Sequence, residues 1–134
     1  MAHIDGLSRS LAAFDQDSTL VCVAEMSASS WVVAGLLPGV ERRPLKKIGA
    51  DADELLALIE DWRAAAGKPV KRIALAYEAG RDGFWLARLL RSRGIEAHVI
   101  HAASVLVSRE HKRAKTDRLD AEMLLRAFLG WLRG

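Results

Sequence analysis

Asp117 and Asp120 stand three residues apart in the segment Lys115-Thr116-Asp117-Arg118-Leu119-Asp120-Ala121-Glu122. Thr116 suits an N-cap, and Leu119, Met123, Leu124, Phe128 and Trp131 recur behind it at helical spacing. The pair therefore opens a helix, where positions i and i+3 share a face. Two carboxylates aimed at one spot repel each other unless a cation joins them. Acids are also favoured in a first turn by the positive end of the helix dipole, so the pair taken alone is equally a helix-start signal. Two further acids stand at comparable places. Glu25 closes the apolar run from Leu20, and Glu78 follows the alternating run Lys71 to Tyr77, just before Ala79-Gly80. In α/β sheets, ligands gather at strand ends and helix starts. Glu25, Glu78, Asp117 and Asp120 brought to one point would be strongly self-repelling, and Mg²⁺, with Mn²⁺ as the alternative, is the usual remedy because hard cations prefer carboxylate oxygens. Two such ions can clamp the attacking and leaving oxygens of a phosphodiester displacement.

Beside the acids lies a basic run: Arg109, His111, Lys112, Arg113, Lys115 and Arg118 fall within ten residues. Arg109, Lys112, Arg113, Lys115 and Arg118 suit a polyphosphate backbone, with a solvated loop as the plainer alternative. Arg42-Arg43 with Lys46-Lys47, and Arg88, Arg91 and Arg93, lean weakly the same way. Other chemistry finds little support. His98, His101 and His111 lack the spacing of a zinc site. Ser27, Ser29 and Ser104 have no nucleophile-elbow sequence around them. Gly80 and Gly83 read as turn residues, and Trp31, Trp62, Trp85 and Trp131 as core or interface rather than base-stacking platforms.

The elements that must position these residues can be read from periodicity. The chain has 134 residues, 51% of them hydrophobic, enough for one domain with a real core. Residues 1–17 lack periodicity and read as a flexible tail, leaving 18–134 as the domain. Leu20 to Glu25, Ser30 to Leu37 and Val40 to Ile48 read as three successive strands, the first two joined across a hairpin connection. Asp51 with Glu54 resembles a capping box that opens a helix over about 52–66, with Leu55, Leu58, Ile59 and Trp62 on one face. Lys71 to Tyr77 is a fourth strand. Asp82 can cap a second helix that buries Leu86, Leu89 and Leu90 and stops at Gly94. Ile95 to Ile100 is a last strand before the basic run and the final helix. The order βββαβαβα implies an α/β fold with a mixed central sheet and helices on its faces. The single cysteine, Cys22, has no partner for an internal disulfide, and no apolar run is long enough to span a bilayer. Both features suit the cytoplasm and no membrane.

Three segments carry a family resemblance: Tyr77-Glu78-Ala79-Gly80-Arg81-Asp82-Gly83-Phe84-Trp85-Leu86-Ala87-Arg88, then Gly94-Ile95-Glu96-Ala97-His98-Val99-Ile100-His101, and Arg113-Ala114-Lys115-Thr116-Asp117-Arg118-Leu119-Asp120-Ala121-Glu122. Together they resemble the N-terminal domain of the DEDD-type transposases of bacterial insertion sequences, from about residue 18 onward. The resemblance implies a RuvC-like, ribonuclease H-like fold, a Mg²⁺ site and DNA recombination in a bacterial cytoplasm. It carries Glu78, Asp117 and Asp120 onto the family's acids, and Glu25 onto a position where the family normally has aspartate. It also implies DNA and a structured guide RNA as partners, and a further C-terminal domain with a nucleophilic serine that does not follow within this sequence.

The final helix carries Leu124, Leu125, Phe128, Leu129, Trp131 and Leu132 on nearly every side, as expected of a helix covered on several faces. Cover from further sequence or from a second subunit is therefore expected, the latter as a homo-oligomer through that helix. Three functional classes follow: a metal-dependent transposase domain, a catalytically inert nucleic-acid-binding and dimerisation module, and a stand-alone junction-resolving nuclease. Metal affinity that depends on the acids separates the first from the second.

Overall fold

The computed structural model describes residues 4–5, 14–79, 84–101 and 117–134. In chain order its elements are β1 (Ile4–Asp5), β2 (Thr19–Met26), β3 (Ser30–Leu36), β4 (Leu45–Gly49), α1 (Ala52–Ala65), β5 (Arg72–Ala79), α2 (Phe84–Ser92), β6 (Glu96–His101) and α3 (Asp117–Arg133). The strands form one sheet in the order β1-β6-β5-β2-β3-β4. β2, β5 and β6 run parallel, while β1, β3 and β4 pair antiparallel with their neighbours. The fold is thus mixed α/β, and from β2 onward the element order is the βββαβαβα read from the sequence.

Side-chain alternation along each strand divides the interior into two layers. Leu20, Cys22 and Ala24 of β2 pack with Leu75 and Tyr77 of β5 and Val99 of β6 beneath α1 and α2. Val21 and Val23, Ala74 and Ala76, and Ile100 face the other way, under α3. Because both faces are covered, β2 is apolar at successive positions and is buried from Thr19 to Ala24. Cys22 is fully buried, and that burial pushes its thiol up to about 12.

Local chemistry sets the boundaries. Ser27 closes the β2–β3 hairpin: its N–H donates to the Ser30 carbonyl at 3.0 Å and its hydroxyl to the same oxygen at 2.6 Å. Asp51 caps α1 by accepting from the Asp53 N–H at 3.1 Å, while Glu54 reaches back to the Gly49 N–H at 3.2 Å. Leu55, Leu58, Ile59 and Trp62 are buried, as the periodicity requires. At the end of α2, Gly94 takes φ of 80°, and the Ile95 N–H returns to the Leu90 carbonyl at 3.0 Å, a Schellman close that needs a residue at ease in the left-handed region.

Two expectations change. The third strand starts at Leu45, not Val40. Val40 instead closes a turn onto the Leu37 carbonyl, and Pro44 has no N–H to give a ladder, although its carbonyl accepts from Gly35 at 3.0 Å. Within the stretch read as a tail, Ile4 and Asp5 pair with Ile100 and Val99 on the β6 edge, and Phe14 packs against the layer under α3. A two-residue strand is too short to leave a period. Asp82, expected to cap α2, lies outside the described residues. Among the described residues, no helix is long and apolar enough to cross a membrane.

Candidate functional site

The parallel register decides where the strand acids go. Thr19 to Ala24 of β2 pair in step with Arg72 to Tyr77 of β5, ending at Ala24 opposite Tyr77. Glu25 and Glu78 are the next residue on each strand. They lie side by side at the carboxyl ends of neighbouring strands, whose backbones are about 4.8 Å apart. Alternation puts both on the face that carries Val21, Val23, Ala74 and Ala76, the face α3 covers. Glu78 pairs in register with Ile100 of β6, which belongs to the same layer.

The helix that covers this face begins at Asp117, with Asp120 one turn in. It runs obliquely over the sheet. Glu122, Leu125 and Arg126 border Ala34 of β3 and Leu45 of β4, whereas Phe128 and Trp131 reach His98 of β6. Glu25, Glu78 and Asp120 are half-buried, and none of the three lacks an interaction partner. Among the described residues, no three His, Cys, Asp or Glu side chains come together as a metal-holding group. The side chains of Asp117 and Arg118 lie outside the described residues, as do Arg109, Lys112, Arg113 and Lys115 altogether. The described part of the site is therefore a pair of strand-end glutamates beneath a helix that opens with two aspartates.

Tyr77, one residue before Glu78, fixes the element that follows. It is fully buried, and its hydroxyl accepts from the Ala87 N–H at 2.9 Å. That amide is on the fourth described residue of α2. The bond ties the start of α2 to the strand end that carries Glu78.

A second polar cluster occupies the opposite end of the same face, and periodicity did not reveal it. Arg72 donates Nε to Glu96 Oε2 at 2.8 Å and Nη2 to Oε1 at 2.7 Å, a two-pronged guanidinium–carboxylate pair. His98 Nε2 lies 2.9 Å from Glu96 Oε1. A carboxylate only accepts, so Nε2 carries the proton in that bond. The His98 bond and the Arg72 pair hold the Glu96 carboxyl down at about 2, against an opposing push from burial. The same pairing raises Arg72. The His98 ring in turn lies against Trp131 and Phe128 of α3, with centroids 4.8 and 5.6 Å away. This cluster anchors the carboxyl-terminal half of α3 to the sheet. Its only sequence trace was the polar residues Arg72, Glu96 and His98 within mostly apolar strands.

The sheet also accounts for the apolar character of α3. Ala121, Leu124, Leu125, Phe128 and Leu129 are buried against it, and Trp131 and Leu132 pack on the same layer. Much of the cover expected from a partner comes from the chain itself. The exposed large apolar side chains among the described residues are instead Phe84 and Trp85, at the start of α2.

No family model matches the chain, and no solved structure matches it. It is similar to a protein of Sinorhizobium fredii named "Putative transposase y4rJ", with 38% identity over 117 residues. The match covers 82% of this chain and 29% of that relative, so the chain spans less than a third of the relative's length.

Proposed function

We propose that the chain is the acidic-site domain of a DNA transposase with a ribonuclease H-like sheet, in which Glu25, Glu78, Asp117 and Asp120 hold Mg²⁺ beside a scissile phosphate. The observation that carries this reading is the register of β2 against β5, which places Glu25 and Glu78 side by side on the face of the helix that opens with Asp117. The relative's name supports the transposase half of the proposal. The donor chemistry fits the ion, since all four groups are hard carboxylate oxygens.

Mg²⁺ at such a site would stabilise charge on a phosphate oxygen and favour an oxygen nucleophile. The chain's own contribution is placement. Glu25 and Glu78 stand at strand ends fixed by a central ladder, and Asp117 and Asp120 open a helix held at its far end by the contacts of Phe128 and Trp131 with His98. Such rigid mounting holds ligands in a fixed geometry. Arg109, Lys112, Arg113, Lys115 and Arg118 precede and enter that helix and would neutralise the phosphate backbone led to the acids. DNA is the proposed substrate. A structured guide RNA is the proposed second partner, and strand exchange in the longer protein the proposed outcome, both on the family resemblance.

The lack of a three-ligand group among the described residues favours a second reading, a nucleic-acid-binding module without metal. Calorimetric titration of Mg²⁺ and Mn²⁺ into the protein separates the two, with Glu78→Gln and Asp117→Asn variants shown to be folded by circular dichroism. Saturable binding lost in both variants is the expected result. Binding that is absent, or unchanged in the variants, overturns the metal site.

A further inference from the structure

The segment joining β3 to β4 combines charge and shape in a way the acidic site does not use. It turns at Leu37–Val40 and reads Glu41-Arg42-Arg43-Pro44 before β4 begins, with Lys46 and Lys47 on the strand itself. Arg42, Arg43, Lys46 and Lys47 are exposed. Among the described residues, none of them is in a salt bridge or a side-chain hydrogen bond. Four cations face one acid, Glu41. Lysines on β4 have an ordinary explanation, because charge on an edge strand prevents strand-to-strand aggregation. Arg42 and Arg43 precede the strand and protect no edge.

Those two arginines rim a cleft of about 630 Å³ whose apolar lining includes Leu37, Val40 and Trp62. Its walls are braced. Gly67 N–H donates to the Pro38 carbonyl at 2.8 Å, and Gly39 lies directly against Gly67, which locks the β3–β4 connection to the end of α1. A preformed cleft of this size is in the range that small planar ligands occupy, roughly 300–1,000 Å³. An apolar floor with a guanidinium rim matches one base turned out of its stack with the phosphates on either side of it, the arrangement by which single strands are held. A smaller cavity of about 230 Å³ on the other side of Arg43 includes Glu122 in its lining.

We propose that the Arg42/Arg43 cleft holds a single-stranded nucleic-acid segment, with phosphates on the two guanidinium groups and one base over the half-buried Val40, above the buried Leu37 and Trp62. The assignment rests on the reading of the chain as a nucleic-acid-acting domain, but not on a metal site. It makes β4 a holding edge separate from the basic run at 109–118.

The test is fluorescence anisotropy with a labelled oligothymidylate strand, repeated with a duplex and an abasic strand of the same length. The wild type is compared with Arg42→Gln/Arg43→Gln and with Lys71→Gln/Arg133→Gln. The latter pair removes equal charge from exposed positions that line neither cavity. The expected result is a loss of about tenfold or more for Arg42→Gln/Arg43→Gln, with the slope of log affinity against log salt smaller by roughly 1.4, about 0.7 for each single-strand phosphate contact. The Lys71→Gln/Arg133→Gln pair should bind like wild type, and the abasic strand and the duplex more weakly than oligothymidylate. Binding that survives in Arg42→Gln/Arg43→Gln, or falls equally in the Lys71→Gln/Arg133→Gln pair, overturns the cleft and leaves the proposed function standing. Equal binding of the abasic strand or the duplex overturns base insertion, and with it the cleft as a single-strand site. No binding by the wild type to any probe overturns both the cleft and the nucleic-acid reading beneath it.

Discussion

Tyr77 links the strand that ends in Glu78 to the helix that follows, through one buried hydrogen bond to Ala87. Tyr77→Phe keeps the ring but removes a buried hydrogen bond, which costs about 0.5–1.5 kcal/mol. Urea denaturation should show that loss as a lower midpoint with an unchanged slope. Gly35 makes a different local demand. A Cβ there would lie 2.6 Å from Cζ3 and 2.9 Å from Cε3 of Trp62, an aromatic ring that is itself buried. Gly35→Ala therefore has to displace that ring, at about 1–3 kcal/mol, measurable in the same way and as a change in tryptophan fluorescence. At this scale the strand acids were legible in the sequence, because a carboxylate that closes an apolar run stands out. Tyr77 as an anchor was not, because nothing in an alternating run says which helix amide its hydroxyl will meet.

Among the elements, α3 depends on two unlike attachments. Its apolar face packs across the sheet, and its carboxyl-terminal half rests on His98, held by Glu96 and Arg72. Glu96 titrates at about 2 in the folded chain against 4.5 for an ordinary glutamate. A depressed carboxyl stabilises the fold above its unfolded value, and that contribution disappears as the pH falls through the folded value. The contribution of Glu96 is thus complete above about pH 4.5 and fades toward pH 2. Thermal melts of wild type and Glu96→Gln should differ most above that window and converge below it. Equal differences at all pH values would remove Glu96 from the pH response. The helices and most strands followed from period and caps, α1 to within a residue of its observed end. The start of β4 did not, because Val40 and the residues after it have strand-like neighbours while Pro44 prevents the ladder. The Arg72–Glu96–His98 cluster was illegible for another reason: it exists only through the pairing of β5 with β6, and pairing is not written in either strand.

Across the whole molecule, the sheet order puts the two strand glutamates on the central pair β2 and β5, with the Arg42/Arg43 cleft beyond them toward the β4 edge. The order of elements was legible because helix and strand periods alternate cleanly. Of the proposed convergence of the four acids, the described residues reach only the two strand ends and a helix start, since the Asp117 side chain lies outside them. The central position of β2 has another consequence. Its Cys22 is the only cysteine in the chain and has no exposed surface. A thiol held near 12 has almost no thiolate at neutral pH, and no reagent reaches it without parting the sheet. Cys22 is therefore a built-in clock for global opening. Its alkylation by iodoacetamide should be very slow in native buffer and should accelerate with urea in step with the loss of circular dichroism. Rapid native labelling would instead reveal a sheet that breathes at its centre, a property invisible to any measurement of average structure.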